Sequence, residues 1–397
     1  MTNRAISILL QSMLLPVTCP MGWLMKNRVA LAAALLVVAQ LCHGLPALQR
    51  LPKIYTTDDG IRFQVELVAS GLLVPSDLAF TPAGGLIITE RPGRLSLLTP
   101  TGELDELDQL YQVHARDEAG LMGMALNSVS RDQLFIYLCY SARKGMFGIE
   151  NRLVKAMLGR FGLLQEEVLL SWPGHRFNNG CQLAIGPDQK LYISTGDATE
   201  GEVAQQHDSL LGKMLRLNLN GSIPADNPRP DSPIYSMGHQ NLQGFDWQPS
   251  TDRLYAVERG RSGDDDSDEL NLIEGGANYG WPLASHGQLQ PGMVVPLLFW
   301  PKPMGPAGVV VYQGGQLPGM STNLFITGLT GETLLRVVLD VRGQPVAQEE
   351  LLKGEFGRLR AITQGPDGYL YFATSNLDGE GEPGVDGDLL LRLVPAE

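Results

Sequence analysis

The strongest constraint on the fold of this 397-residue chain is a loosely repeated unit of β-type sequence. In each copy an apolar run meets a turn such as Pro-x-Gly, and two further apolar runs follow before the next copy begins. The copies recur about every 45 to 65 residues, a spacing typical of repeat architectures built from supersecondary units. The six copies begin at Leu78, Met124, Leu183, Phe245, Val309 and Ile362.

Each repeat is long enough for about four short strands, and no segment carries a long apolar period of 3.6 residues. The 46 glycines and 26 prolines suit the turns between the apolar runs. A single unit would leave a sheet face bare, and closure of six units into a ring covers those faces. We therefore predict an all-β fold, a six-bladed β-propeller over residues 46–397. A pair of β-sandwiches is the alternative, but it does not explain the recurring Gly-Pro-Asp turn.

The first 45 residues have the character of an export signal. Lys26 and Arg28 precede an uninterrupted apolar run over 29–38, which is typical of a signal peptide and short for a membrane span. An internal methionine is an alternative start, which makes the preceding residues an upstream extension. We predict a signal peptide over 1–45, a periplasmic or secreted mature protein, and no membrane span after signal removal. An uncleaved anchor is the alternative.

Charge and cysteine usage narrow the classes of function. The net charge of −13 argues against a nucleic-acid partner, because nothing in the sequence offers a basic stripe. Only Cys139 and Cys181 lie in the mature region, too few for a disulfide framework and without metal-ligand spacing. They either pair in an oxidising compartment or are both buried as small apolar residues, and we favour the second.

Several stretches follow one another in the order found in a known family. The most specific is DELNLIEGGANYGWP over 268–282, and it is supported by IGPDQKLYISTGD, GKMLRLNLNGSIPADNP, GHQNLQGFDWQP and LRAITQGPDGYLYFAT. Over residues 61–395 the chain resembles the glucose/sorbosone dehydrogenase family. The resemblance implies a six-bladed propeller that holds pyrroloquinoline quinone (PQQ) and Ca²⁺. It also implies oxidation of the C1 hydroxyl of an aldose sugar to the lactone, with a soluble or periplasmic electron acceptor.

An acidic segment over 263–269 holds five carboxylates in seven residues. Such a run repels itself unless it is solvated or neutralised, and Ca²⁺ takes carboxylate and backbone oxygens of this kind. The resemblance implies that Glu269 and the backbone oxygen of Tyr279 bind a structural calcium. It implies a second calcium, at the quinone, on the backbone oxygens of Gly260 and Arg261. A solvated loop is the alternative for the acidic segment.

Two arginines, Arg358 and Arg360, lie one residue apart in the last repeat. A guanidinium group can make paired hydrogen bonds to a carboxylate, and PQQ carries three carboxylates. The resemblance implies that both arginines bind the quinone. Because alternate positions of a strand share one face, pairing of both arginines with acids of the protein is the alternative.

Five positions depart from the family pattern at the implied pocket. Asn178 stands where the family has the histidine that takes the proton of the sugar hydroxyl, and an amide cannot act as that base. Gln182 and Gln240 stand at arginine positions, and Thr330 stands at a lysine position. Glu118 replaces a glutamine that orients the base. Because these changes remove positive charge around an anionic cofactor, we expect PQQ to bind more weakly.

Other residues could supply the missing base. His175 lies three residues before Asn178, and His239 lies next to the implied cofactor rim. Each is also readily explained as a structural histidine. A carboxylate in a pocket, such as Glu118, can act as a base when burial raises its pKa.

Three further residues belong to the implied cofactor site. Asn241 is retained from the family pattern, and Trp300 matches a tryptophan near the quinone ring. A tryptophan there can stack on a quinone or sugar, or it can pack at a blade edge. Lys302 replaces a small polar residue and could restore positive charge.

Two functions from different classes follow. The first is a PQQ-dependent aldose dehydrogenase acting on a small sugar, with Ca²⁺, whose turnover depends on a replacement for the histidine lost at Asn178. The second is a catalytically degenerate propeller that binds a small ligand or a protein partner on the same face. The fold alone does not separate them, because propellers carry unrelated functions.

Overall fold

The computed structural model describes residues 53–130, 133–160, 162–260, 268–284, 290–384 and 386–396. The predicted signal peptide lies outside these residues and stays a prediction. Within the described ranges the regular structure is 25 strands and one 3-10 helix, Gly201–Gln205. The prediction of an all-β fold is confirmed.

The strands form six antiparallel sheets, which are the blades. Blade 1 consists of β3 (Pro75–Phe80), β4 (Leu86–Glu90), β5 (Arg94–Leu98) and β6 (Leu104–Gln109). Blade 2 consists of β7 (Leu121–Ser130), β8 (Gln133–Lys144), β9 (Gly148–Gly159) and β10 (Gly162–Gly174). Blade 3 consists of β11 (Gly180–Ile185), β12 (Leu191–Thr195), β13 (Lys213–Leu217) and β14 (Ile234–Met237).

The second half of the ring repeats this plan. Blade 4 consists of β15 (Leu242–Gln248), β16 (Arg253–Glu258), β17 (Asp268–Ile273) and β18 (Leu298–Trp300). Blade 5 consists of β19 (Pro306–Val311), β20 (Leu324–Gly328), β21 (Thr333–Leu339) and β22 (Pro345–Leu351). Blade 6 contains β23 (Leu359–Gln364), β24 (Leu370–Thr374) and β25 (Asp388–Pro395), followed by β2 (Arg62–Leu72) and β1 (Ile54–Thr56).

The ring closes in blade 6, which joins the two ends of the described chain. Strand β2 pairs antiparallel with β25 in a register that runs from Phe63 opposite Pro395 to Leu72 opposite Asp388. This pairing covers edges that would otherwise be exposed. The first strand of each blade contacts the first strand of the next blade around the ring. Each of the six predicted repeats begins within one of these inner strands, so the count of six blades is confirmed.

The blades pack face to face through apolar side chains. Strands β4, β12, β13, β20 and β24 are buried at every position, because both of their faces lie against neighbouring blades. One such core joins Tyr137 and Leu153 of blade 2 to Ile193 and Leu215 of blade 3. These runs are therefore almost continuously apolar instead of alternating.

A disulfide bond ties blade 2 to blade 3. Cys139 on β8 and Cys181 on β11 are bonded, with their Cα atoms 5.6 Å apart. Our expectation of two unpaired apolar cysteines is wrong. Both side chains are fully buried, as we predicted, but blade packing also brings them within bonding distance, which a separation of 42 residues along the chain does not reveal.

An aspartate links each of two inner strands to the next blade. The Oδ2 atom of Asp77 on β3 accepts a hydrogen bond from the backbone N–H of Met124 on β7, at 2.8 Å. Asp246 on β15 accepts one from the backbone N–H of Val311 on β19, also at 2.8 Å. Burial raises the pKa of Asp77 to about 7 and that of Asp246 to about 6. The repeat thus places the same polar link at two blade junctions.

Asp388, at the start of β25, links the closing blade to blade 1. It is fully buried, and it accepts hydrogen bonds from the backbone N–H of Val74 at 3.0 Å and the hydroxyl of Thr374 at 2.9 Å. Asp268 occupies the matching position at the start of β17. It accepts the backbone N–H of Gly305, at 2.8 Å, from the first residues of blade 5.

The loops that matter for function emerge at one end of the ring. Because successive strands of a blade alternate in direction, the loops after the second strand and the connections to the next blade share this end, which we call the upper face. It carries the segments 91–93, 110–120, 175–179 and 238–241, among others. The opposite end carries the loops after the first and third strands.

Candidate functional site

A cavity of about 190 Å³ lies on the ring axis and is lined by residues of the inner strands of all six blades. Its walls combine apolar residues with charged ones. Three arginines reach it from three different blades, and one glutamate reaches it from the connection between blades 1 and 2. These four are Arg91, Arg259, Arg360 and Glu118, and the carboxylates of Asp77 and Asp246 also line the cavity.

Arg360 lies on β23, and its guanidinium group makes few contacts with polar atoms of the described residues. Its Nε atom donates a 3.3 Å hydrogen bond to the hydroxyl of Ser375. Burial, followed by the positive charges of Arg91 and other neighbours, lowers the pKa of Arg360 to about 9, so the group still carries its charge at neutral pH. A half-buried cation that faces a cavity is suited to bind an anion there.

Arg91 follows β4 and is about nine-tenths buried. Its Nη1 atom donates to the backbone carbonyls of Asp117, at 2.9 Å, and Asp378, at 3.5 Å. Carbonyls satisfy hydrogen bonds but carry no full negative charge. Burial accordingly lowers the pKa of Arg91, and its charge is left for a ligand or for the neighbouring carboxylates.

Glu118 and Arg259 form the ion pair of the cavity. Arg259 Nη1 lies 2.8 Å from Glu118 Oε1, and Glu118 Oε2 accepts the backbone N–H of Asn178 at 3.0 Å. The Glu118 side chain is 27% exposed, so it is open to the cavity and not sealed in the core. The structure therefore places a carboxylate directly beside the position of the missing histidine.

Asn178 is part of a polar chain that ends in a buried acid. Its Nδ2 atom donates to Asp197 Oδ1 at 2.9 Å, and the indole N–H of Trp281 donates to Asp197 Oδ2 at 3.0 Å. The backbone of Asn178 has φ of 54°, a left-handed conformation that asparagine tolerates better than most residues. Burial raises the pKa of Asp197.

Gln182 and Gln240, the two glutamines at family arginine positions, differ in their surroundings. Gln182 lines the cavity, and its Nε2 atom donates to Asp77 Oδ2 at 2.8 Å. Gln240 is buried, and its backbone N–H is bound by the Glu258 carboxylate. Asn241 is also buried and donates to Asn178 Oδ1 at 3.4 Å, which places it in the same polar chain.

His239 is satisfied within the fold. It is fully buried, and its ring nitrogens lie 3.0 Å from Glu258 Oε2 and 2.8 Å from Ser236 Oγ. Its ring also stacks on Tyr279, with centroids 4.6 Å apart. These contacts describe a structural histidine. His175 accepts a local hydrogen bond from the backbone N–H of Phe177 and is not among the residues that line the cavity.

Arg358 pairs with acids of the protein, which is the alternative to quinone binding given in the sequence analysis. Its guanidinium Nε atom lies 2.8 Å from Asp378 Oδ2, and an Nη atom lies 3.3 Å from Glu380 Oε2. The side chains of Arg358 and Asp378 are 7% and 3% exposed. Arg360 faces the cavity, whereas Arg358, two residues earlier, pairs with two acids. The two arginines therefore differ in their partners.

Arg358, Gln240 and Asn241 do not line the cavity, and three more residues of the predicted cofactor site also lie away from it. Trp300 ends the outer strand β18, and its indole N–H donates to Gln348 of blade 5 at 2.9 Å. That contact is blade-edge packing. Thr330 and Lys302 are exposed on loops and, like Trp300, do not line the cavity.

The predicted structural calcium site contains a buried oxygen without a donor. Glu269 and Asn271 share one face of β17, and Asn271 Nδ2 lies 3.3 Å from Glu269 Oε2. Among the described side chains, Asn271 Oδ1 is a buried acceptor that has no hydrogen-bond partner. The described residues contain no cluster of three or more His, Cys, Asp or Glu that could hold a metal. Most of the acidic segment lies outside the described residues.

The second predicted calcium site is described only in part. The backbone N–H of Gly260 donates to Asp268 Oδ1 at 3.0 Å, which fixes the end of β16. Arg261, its predicted partner, lies outside the described residues.

Sequence reasoning missed Arg91 and Arg259, although a signal for both exists. Each follows a glutamate at the end of the second strand of its blade, in ITERPG and AVERG. Glu90 and Glu258 are buried and bind backbone N–H groups of the preceding segment, while the arginine after each one turns into the cavity. Alignment of the repeats on this Glu-Arg pair would have found them.

Comparisons with known proteins identify the family and support the fold. A family model described as glucose/sorbosone dehydrogenase matches residues 72–391. An aldose sugar dehydrogenase of Escherichia coli is 30% identical over 80% of this chain and 91% of its own length. The PQQ-bound aldose sugar dehydrogenase of Streptomyces coelicolor superposes with a TM-score of 0.75 at 31% identity, over 84% of this chain and 98% of that one.

A more distant relative has a different description. Human Hedgehog-interacting protein is 28% identical over 43% of this chain and 29% of its own length. The fold and the axial site place this chain among the β-propellers of the sugar dehydrogenase type. The chain belongs to the glucose/sorbosone dehydrogenase family. In the part of the chain that the structure describes, no helix has the length and apolar character needed to cross a membrane.

Proposed function

We propose that the protein is a PQQ-dependent aldose dehydrogenase that oxidises the C1 hydroxyl of a sugar to the lactone. The observation that carries this proposal is the meeting of Arg91, Arg259 and Arg360 with Glu118 at one axial cavity. Export to the periplasm or the medium, and transfer of electrons to a soluble or periplasmic acceptor, belong to the same proposal.

The cavity residues fit a cofactor that carries several carboxylates. The charges of Arg91 and Arg259 act on the guanidinium group of Arg360. Among the three, only Arg259 has a carboxylate partner within salt-bridge distance in the described residues. Arg91 and Arg259 would thus supply positive charge that is missing at Gln182 and Gln240. When bound, PQQ would accept a hydride from the sugar carbon.

Glu118 is the group best placed to take the hydroxyl proton. It is open to the cavity, and it binds the backbone N–H of Asn178, the residue at the family's histidine position. Arg259 holds one carboxylate oxygen and so fixes the side chain in place. General bases are expected within hydrogen-bond reach of the proton they abstract, and Asn178 itself, bound to Asp197, serves to orient the sugar or the loop.

A structural calcium on Glu269 and the backbone oxygen of Tyr279 also belongs to the proposal. The buried Asn271 Oδ1 atom, which has no donor, supports an electropositive neighbour on this face of β17. Ca²⁺ accepts carboxylate, amide and backbone oxygens together. The calcium at Gly260 and Arg261 would adjoin the cavity, next to Arg259.

Reconstitution tests the proposed function. The mature protein would be incubated with PQQ and Ca²⁺ and freed of excess ligand by gel filtration. The absorbance of the quinone would then be measured in the protein fraction, and dye reduction would be measured with a panel of aldoses. We expect retained quinone and sugar-dependent dye reduction, and absence of both would contradict the dehydrogenase proposal.

A non-catalytic propeller is the second candidate. It is favoured by the replacement of the family histidine by Asn178 and by the relative that is described as an interacting protein. Quinone retained without dye reduction by any aldose would support it, because the binding site would then exist without a working base.

A further inference from the structure

A basic and apolar patch lies on the upper face at blade 2, in a chain whose net charge is −13. It consists of four cations and three exposed apolar side chains from three neighbouring loops. We call it the hairpin patch, and its residues are Arg116, Arg143, Lys144, Arg176, Met146, Phe147 and Phe177.

The apolar crest of the patch is the tip of the β8–β9 hairpin. Lys144 pairs with Gly148 as the last pair of this hairpin, one pair beyond the end of β10 at Gly174. Met146 and Phe147 at the tip are 82% and 92% exposed. A single exposed apolar residue needs no explanation, but two adjacent ones within a basic surface indicate a contact site.

The cations of the patch surround this crest. Burial, and then the positive charges of Arg143 and Arg116, lower the pKa of His114, which shows that both guanidinium groups act on one ring. Lys144 is 64% exposed, and Arg176 is 44% exposed. The acids in contact with the four cations are Asp117, bound to Arg176 and Arg116, and Glu150, 3.7 Å from Lys144. The patch therefore keeps a positive charge.

The patch adjoins the candidate active site directly. The backbone carbonyl of Arg176 accepts the N–H of Glu118 at 3.0 Å, and Phe177 precedes Asn178 in the chain. A molecule bound to the hairpin patch would therefore lie over the rim of the axial cavity.

We infer that the hairpin patch docks an electron-accepting protein whose own contact surface is acidic. This inference rests on the proposed function, since oxidation of one sugar to the lactone releases two electrons and two protons. Two one-electron acceptors, such as haem proteins, would each be reduced once, and the protons would pass to water. Small interfaces with an apolar centre and a charged rim are typical of such transient electron-transfer complexes.

Charge complementarity is the reason to expect this partner. A local positive surface on a negative molecule orients an acidic partner during encounter and raises the rate of association. An anionic membrane offers similar charge. However, only an electron acceptor has reason to lie against the cavity rim, where Arg176 and Phe177 are.

Charge reversal at the patch tests the inference. The double variant Arg143→Glu/Lys144→Glu would be compared with Arg229→Glu, whose 51% exposed arginine lies on the opposite face. The reconstituted proteins would reduce, in separate assays, an acidic soluble c-type cytochrome, the strongly basic mitochondrial cytochrome c, and a small dye. We expect the double variant to reduce the acidic cytochrome about tenfold more slowly at low salt, with dye reduction and the Arg229→Glu control unchanged.

Binding of the oxidised acidic cytochrome, measured by interferometry without sugar, separates this inference from the proposed function. Patch-dependent binding in a protein that reduces no dye would support the surface and contradict the dehydrogenase. Equal binding and equal cytochrome rates in the double variant would overturn the docking inference. So would charge-dependent co-sedimentation with phosphatidylglycerol vesicles in the absence of cytochrome binding, because it would identify a membrane instead.

Discussion

The junction aspartates and the cavity arginines differ in how the fold satisfies their charges, although Asp77 and Asp246 also line the cavity. At the junctions, Asp77, Asp246 and Asp388 are surrounded by hydrogen-bond donors, mostly backbone N–H groups of neighbouring segments. Among the described residues, the hydrogen bonds of the cavity residues Arg91 and Arg360 go to neutral oxygens. An acid whose oxygens accept several hydrogen bonds is accommodated within the fold, whereas a cation that is left without a counter-charge is costly and is explained by a ligand.

The Glu-Arg pairs show this contrast between adjacent residues. In Glu90-Arg91 and Glu258-Arg259 the glutamate binds backbone N–H groups of the fold, and the arginine lines the cavity. Mutations of the two kinds of residue should therefore separate into changes of stability and changes of binding or turnover. The experiments below exploit that separation.

The largest effect is expected for Glu118→Gln. Loss of a general base typically costs about 10²- to 10⁴-fold in rate, so turnover with sugar and dye should fall at least about 100-fold. PQQ affinity should not fall, because the variant releases Arg259 from its ion pair. Steady-state kinetics and a PQQ titration would measure the two quantities.

The matched control for this prediction is Glu202→Gln, an exposed glutamate in an upper-face loop outside the cavity. Its turnover should stay near that of the unmodified protein. Full activity in Glu118→Gln would remove this residue as the base and leave Asp197 as the next carboxylate to test.

The next effect concerns a junction. Asp388→Ala would leave the backbone N–H of Val74 and the hydroxyl of Thr374 without their acceptor at the point where the ring closes. Such losses typically cost about 3 kcal/mol or more of unfolding free energy. Denaturant unfolding would measure the change, and Asp105→Ala on the exposed outer strand β6 should stay within about 0.5 kcal/mol. Weaker PQQ binding by folded Asp388→Ala, without a loss of stability, would contradict the structural role that we assign to Asp388.

The repeat pattern was sufficient to predict the fold, because apolar runs and turns at each copy determine strands locally. All six predicted starts fall within inner strands. Closure by β2 was not predicted, since the strand that completes blade 6 comes from the other end of the chain. The Cys139–Cys181 bond was only the less favoured alternative for a similar reason, because it depends on how two blades meet.

The site could be predicted only in part. Glu118, Gln182 and Arg360 line the cavity as the resemblance implies, whereas Trp300 and Lys302 do not. Trp300 matches the position of a family tryptophan near the quinone ring, but its place on an outer strand follows from the pairing of β18 with β17. Sequence similarity predicts which residue type occupies a position, whereas strand pairing determines where that position lies in the fold.

PQQ titration of Arg360→Gln, with unfolding measured on the same samples, tests the central claim most directly. Removal of one charge-assisted contact should weaken PQQ binding by about 1.5 to 3 kcal/mol, or roughly 10- to 100-fold. The unfolding free energy without ligand should not fall, because the variant removes a half-buried cation that has no carboxylate within salt-bridge distance in the described residues. Unchanged PQQ affinity with a marked loss of stability would contradict the account and place Arg360 among the structural charges.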